Sequence, residues 1–177
     1  MASEGPLSPT AAISTGGGKA WSSPTAVYSS DDSRALTFLG GSESSQQLQA
    51  TDFNFSIPAG ATIDGIEVSI ERSQDTLPQD IEDSLVQLIK GGTPSGNNKA
   101  DTVTAWPTTD ATATYGSSSD LWGLSLTPTD INASNFGIAI SAYNDRDPGL
   151  GVNGRIDHTT ITVYYTETTF IPRVTIF

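Results

Sequence analysis

The sequence predicts an all-β fold: an antiparallel, jelly-roll-like β-sandwich with extended N- and C-terminal arms. Three observations point there. Short clusters of β-branched and aromatic residues recur along the 177 residues, several with clear in–out alternation. Turn chemistry, such as Gly40-Gly41 or Pro58-Ala59-Gly60, separates the clusters at short intervals. Apolar runs at helical spacing are missing, so there are no crossover helices to connect a parallel sheet.

Taken in order, residues 1–18 ("MASEGPLSPTAAISTGGG") are small, weakly charged and end in three glycines. That stretch has too little apolar surface to fold alone and reads as a flexible arm. A β-sandwich domain is expected over residues 19–168, and "TGGGKA" reads as the hinge into it. "RALTFL" alternates. "QLQATDFNFSI" puts Phe53, Phe55 and Ile57 on one face at period two. "TIDGIEVSIERS" is the clearest strand, with Ile66, Val68 and Ile70 inward and Glu67, Ser69 and Glu71 outward.

"SLVQLIKGG" is a more continuously apolar strand closed by two glycines, and "GGTPSGNNKAD" a long polar loop. "ATATYG" and "LWGLSL" read as two short strands joined by "SSSD". "TPTDINAS" is the one helical signal: Thr127 caps it, Pro128 takes its first position and Asp130 completes an approximate capping box. "NFGIAISAYN" sets Phe136, Ile138 and Ile140 on one face, and "RIDHTTITVYY" supplies the closing strand.

Composition excludes several classes of function. The net charge is −12, from 20 acidic against 8 basic residues, which disfavours nucleic acid and anionic membrane surfaces as partners. Cysteine is absent, so disulfides and thiolate metal sites are ruled out. No segment has the apolar length of a membrane helix, and "MASEGPLSPT" has neither the basic nor the apolar part of a secretion signal.

No catalytic constellation emerges. His158, the sole histidine, follows Asp157, but neighbours on a strand face opposite sides, and no nucleophile elbow or oxyanion signature accompanies them. It is expected to be a strand histidine, hydrogen-bonded or half exposed. Glu67 and Glu71 share a face, yet four residues at ~3.3 Å rise set their backbones about 13 Å apart. Glycosidase carboxyls stand about 5 to 9.5 Å apart, so a hydrolase is rejected.

No cofactor and no metal is expected, with calcium at "YNDRDPGLGVNG" left as the alternative. Asn144, Asp145 and Asp147 there are oxygen ligands of the right type. The loop lacks the distal bidentate acid of an EF-hand, and Asp and Asn before Pro and Gly are ordinary turn residues. The acidic group Asp75, Asp80, Glu82 and Asp83 reads as a solvated loop. Trp21, Trp106 and Trp122 are expected in the core.

The blocks "AWSSPTAVYSSDDSRA", "FSIPAGATIDGIEVSIERS", "LIKGG", "WPTTD", "YGSSSDLWG", "TPTDINASNFGIAISA" and "IDHTTITVYYT", in this order, resemble a β-sandwich domain of structural proteins in tailed bacteriophages. The resemblance covers roughly residues 19–168. It implies a virion part without catalytic activity: a capsid decoration (cement) protein, a tail or connector component, or a fibre module. The expected location is then the virion, assembled in the host cytoplasm. The expected partners are the major capsid protein or other virion proteins, and copies of the chain itself as a dimer or trimer.

The apolar segment 169–177 ("TFIPRVTIF") carries the functional expectation. Phe170, Ile171, Val174, Ile176 and Phe177 are the candidate partner-binding residues, as an arm that adds to a neighbouring subunit by strand pairing. The alternative is an edge strand of the chain's own sandwich. Pro172 cannot donate to a ladder and belongs at an edge or bend. A different class of function, a carbohydrate- or host-surface-binding module, predicts exposed aromatics among Trp106, Tyr115 and Trp122.

Overall fold

The computed structural model describes residues 1–75, 81–145 and 151–167. Within them the strands are β1 (Ala2–Leu7), β2 (Ala11–Thr15), β3 (Ala35–Leu39), β4 (Gln47–Thr51), β5 (Thr62–Gln74), β6 (Ile81–Lys90), β7 (Thr93–Ser95), β8 (Ala111–Ser117), β9 (Gly137–Asn144) and β10 (Val152–Thr166). One helical turn, α1 (Pro128–Ile131), and a 3-10 turn at Pro24–Val27 complete the described elements.

Two antiparallel five-stranded sheets form the sandwich. In the first, β10 has β1 and β3 along one edge and β5 along the other, with β8 beyond β5. The second runs β2-β4-β9-β6-β7. Consecutive strands mostly alternate between the sheets, which is the jelly-roll habit. The expected all-β, jelly-roll-like sandwich is therefore what the chain builds.

Alternation drives the burial. Ile66, Val68 and Ile70 of β5 are fully buried, facing Val86 and Leu88 of β6 and Ile138 and Ile140 of β9 within one core. In the β6–β7 hairpin, Lys90 pairs with Thr93 across Gly91 and Gly92, whose φ values are +61° and +81°. Two positive φ angles in a two-residue loop are what a type I′ turn requires, hence the glycine pair. The stretch expected as a long polar loop thus contributes β7.

Three other expectations change. Residues 1–18 are no loose arm: β1 pairs with β10 from Ala2↔Tyr165 to Leu7↔Ile161, and β2 pairs with β4 from Ala11↔Thr51 to Thr15↔Gln47. The sequence therefore supplies one edge strand to each sheet. "LWGLSL" is not a strand, because Trp122 and Gly123 take φ of +57° and +70°, which an extended chain cannot adopt.

Phe53, Phe55 and Ile57 are buried as expected, but outside any ladder. Asp52 and Asn54 at φ of 60° and 58° break the extended backbone, and Asp and Asn are the side chains that tolerate this region best. The capping box forms in full. Thr127 Oγ1 accepts from the Asp130 amide, and the Asp130 carboxylate accepts from the Thr127 amide at 2.9 Å.

Candidate functional site

The predicted partner-binding residues Phe170, Ile171, Val174, Ile176 and Phe177 lie outside the described residues. What the structure defines is the strand that leads to them. At the end of β10, Tyr165 pairs with Ala2 of β1 on one side and Ile63 of β5 on the other, and Thr166 pairs with Thr62. β10 is thus paired with β1 as far as Tyr165 and with β5 as far as Thr166.

Apolar side chains also remain exposed on edge strands. Phe38 on β3 is 59% exposed and Ile13 on β2 is 57% exposed, with Leu36 beside the former. Ile13 borders a shallow depression on the outer face of the second sheet, lined by Ala11, Gln49, Thr51, Ile89 and Asn135. Across the central rows of that face, amides, small residues and aliphatics alternate: Ile13 opposes Gln49, which opposes Ala139, which opposes Gln87. Nothing on these rows is a titratable group that could do acid–base work.

The aromatics proposed as a sugar platform are core residues. Trp106 and Trp122 are fully buried, and Tyr115 is 8% exposed. Trp21 is buried too and stacks on Trp106, with centroids 6.5 Å apart. Their polar atoms are committed inward. Trp122 Nε1 donates to Ile66 O at 3.0 Å, and Trp106 Nε1 and Tyr115 OH donate to the two carboxylate oxygens of Asp83 at 2.9 and 2.6 Å.

Asp83 on β6 is also ion-paired with Arg72 on β5, so this buried pair bridges the two sheets. The Arg72 guanidinium lies over Trp106 and Tyr115, 5.1 and 5.7 Å from the ring centroids. Burial lowers the pKa of Arg72 and pushes the Tyr115 phenol up to about 12. The sequence places Asp83 with Asp75, Asp80 and Glu82 in a solvated loop, and the structure does not. Asp83 is a core residue, Asp75 binds Asn153, and Asp80 lies outside the described residues.

The remaining chemistry does not assemble. His158 is half-buried, and its Nε2 hydrogen-bonds Ser8 Oγ at 2.8 Å. Within the described residues this is a lone contact, with no carboxylate bonded to the imidazole. A register shift between Ile156 and His158 interrupts the alternation at Asp157, whose Oδ2 accepts instead from the Asp32 amide at 3.3 Å. Glu67 and Glu71 face Thr162 and His158 on the outer surface of the first sheet. In the loop weighed for calcium, Asn144 is buried and donates to Leu39 O, Asp145 is exposed, and Asp147 lies outside the described residues.

One group escaped the sequence reading. Carboxylate oxygens of Asp32, Asp110 and Asp157 lie within 4.8 Å of one another. The three acids come from separate turns and a bulge, so no local spacing announces them. Arg34 pairs with Asp32 and Asp110, and Ser73 Oγ donates to Asp110 Oδ1 at 2.6 Å. The Arg34 hydrogen bond holds the Asp110 carboxyl below its ordinary pKa. Asp157 is shifted up, chiefly by burial, and its Oδ1 has no hydrogen-bond partner.

No protein-family model matches the chain, and no curated protein matches it. A solved structure described as "CBM4 structure and function" is similar at 13% identity and a TM-score of 0.43, covering 85% of this chain and 91% of that one. Within the described residues, no helix is long and apolar enough to cross a membrane.

Proposed function

We propose that the protein is a non-enzymatic structural subunit of a phage virion, a decoration or cement protein that bridges neighbouring capsid subunits. The observation that carries this reading is the apolar segment 169–177 following a strand whose two edges are already filled by β1 and β5. The segment continues from a strand that already has a partner on each side, β1 as far as Tyr165 and β5 as far as Thr166. Its apolar side chains therefore suit burial against another subunit by strand addition. The exposed Phe38, Leu36 and Ile13 on edge strands add apolar area of the kind that subunit contacts use.

A tail or connector position in the virion rests on the same contacts and is the neighbouring reading. The glycan-binding reading loses its support, since Trp106, Tyr115 and Trp122 are buried.

The test is removal of residues 169–177. The truncated chain is expected to keep the circular dichroism and melting temperature of the sandwich. It should fail to form the oligomer and to bind shells of the major capsid protein. Labelled full-length protein should appear on the capsid surface of intact particles. Undiminished decoration by the truncated chain would overturn the proposal.

A further inference from the structure

We infer that Asp32, Asp110 and Asp157 form a binding site for a calcium ion at the edge of the first sheet. Two features of the structure lead there. The first is geometric: one oxygen from each carboxylate lies within 4.8 Å of the other two. Oxygens bound to one calcium at about 2.3–2.6 Å can stand up to ~5 Å apart, so a spread of this size fits within one calcium shell.

The second feature is independent of the clustering. Asp157 is 2% exposed, and its Oδ1 has no hydrogen-bond donor among the described residues. A buried carboxylate oxygen without a partner is costly, and protein interiors satisfy such atoms. A cation supplies what the protein does not.

Charge agrees with this assignment. Among the described residues, Arg34 is the only guanidinium bonded to the three acids, and it bonds two of them, through Asp32 Oδ1 and Asp110 Oδ2. Asp157 Oδ2 accepts from a backbone amide, that of Asp32. One positive charge against three negative ones leaves an excess of two, matched by a divalent ion. Calcium takes six to eight oxygens in flexible geometry, so water completes the shell.

The site would also join three segments far apart in the chain. Asp32 lies in the loop before β3, Asp110 precedes β8, and Asp157 sits in the bulge of β10. An ion that binds only this folded arrangement raises stability by mass action. In sequence these three acids are distinct from the loop around Asn144 and Asp145 and from segment 169–177.

The experiment is isothermal titration of the EDTA-stripped full chain with calcium chloride and, separately, magnesium chloride, with thermal melts in parallel. One calcium per chain is expected, with Kd in the range of about 10⁻⁵ to 10⁻³ M, together with a melting point raised by roughly 3 °C or more at about 10 mM calcium. Magnesium should bind at least tenfold more weakly.

Asp157→Asn should abolish the heat and the melting shift while the calcium-free protein stays folded, because the amide brings no charge into the buried position. Asp32→Asn, at an exposed residue, gives a second variant less able to perturb the fold, and it should weaken binding tenfold or more. Asp145→Asn should leave binding unchanged. No calcium binding by the parent chain, binding that survives both Asp157→Asn and Asp32→Asn, or loss of binding in Asp145→Asn would each overturn the assignment.

Discussion

At the residue scale the decisive side chain is Asp83, and its environment was hidden in the sequence. It sits in an acidic stretch, "QDIEDS", whose composition reads as solvated, yet strand alternation turns it into the core between Trp106 and Tyr115. The two aromatic donors and the Arg72 charge all depend on its carboxylate. Asp83→Asn leaves the guanidinium buried and uncompensated, at an expected cost of about 3–5 kcal/mol in urea unfolding. A loss below about 1 kcal/mol would mean that Arg72 finds another partner.

Tyr115 offers a pH test of the same network. Burial raises its phenol from 10.0 to about 12 in the folded state. Below pH 10 the phenol is protonated in both states and its contribution is complete. Above that the unfolded chain ionises first, so stability falls until the folded pKa is reached, by about 3 kcal/mol in total. Tyr115→Phe removes this component. It should lower stability at neutral pH by about 1–3 kcal/mol and flatten the alkaline decline relative to the parent chain. Equal alkaline slopes in the two proteins would show that the phenol is not the group responsible.

At the scale of elements, what was legible followed the period-two pattern and the local caps. Ile66, Val68 and Ile70 declared β5, and Thr127, Pro128 and Asp130 declared α1, because each signal is complete within a few residues. Two of the errors, at "QLQATDFNFSI" and "LWGLSL", share a physical cause, the positive φ angles at residues other than glycine. Asp52, Asn54 and Trp122 break runs whose composition reads as strand, and nothing in a side-chain pattern fixes the sign of a backbone angle.

Gly116 shows how such a position is enforced. It lies in β8 at φ +76°, and an added Cβ would fall on Ile66 O and 2.6 Å from Trp122 Nε1. Those are the two atoms joined by the hydrogen bond that seats Trp122. Gly116→Ala therefore combines strain of about 1–3 kcal/mol with displacement of a buried indole. A fall in melting temperature and a change in tryptophan fluorescence are expected together. Lost stability with unchanged fluorescence would separate the strain from the displacement.

At the scale of the whole molecule, the two ends of the chain make opposite predictions. Residues 1–18 were expected as an arm, because the sequence of an edge strand need not alternate strongly when only one of its faces meets the core. The structure builds them into both sheets: Leu7 and Ala12 pack on the core, Pro9 is buried, and Glu4 accepts from the Ser56 amide. Deleting residues 1–18 bares one edge of β10 and one of β4, so large destabilisation and strand-edge aggregation are expected.

Segment 169–177 differs, because burying its five large apolar side chains contributes about 8–15 kcal/mol gross. Ordering nine backbone residues costs about 1–2 kcal/mol each, about 9–18 kcal/mol in all, which offsets essentially the whole of that gain. A single arm binds weakly, and a ring or shell of arms binds well through effective concentration. Removal of residues 169–177 should therefore leave the melting temperature within about 2 °C of the parent, since ~1 kcal/mol corresponds to roughly 2–4 °C at this size, while oligomerisation is lost. If the truncation instead destabilises the monomer as severely as deletion of residues 1–18, the segment belongs to its own sandwich, and docking onto a neighbour is wrong.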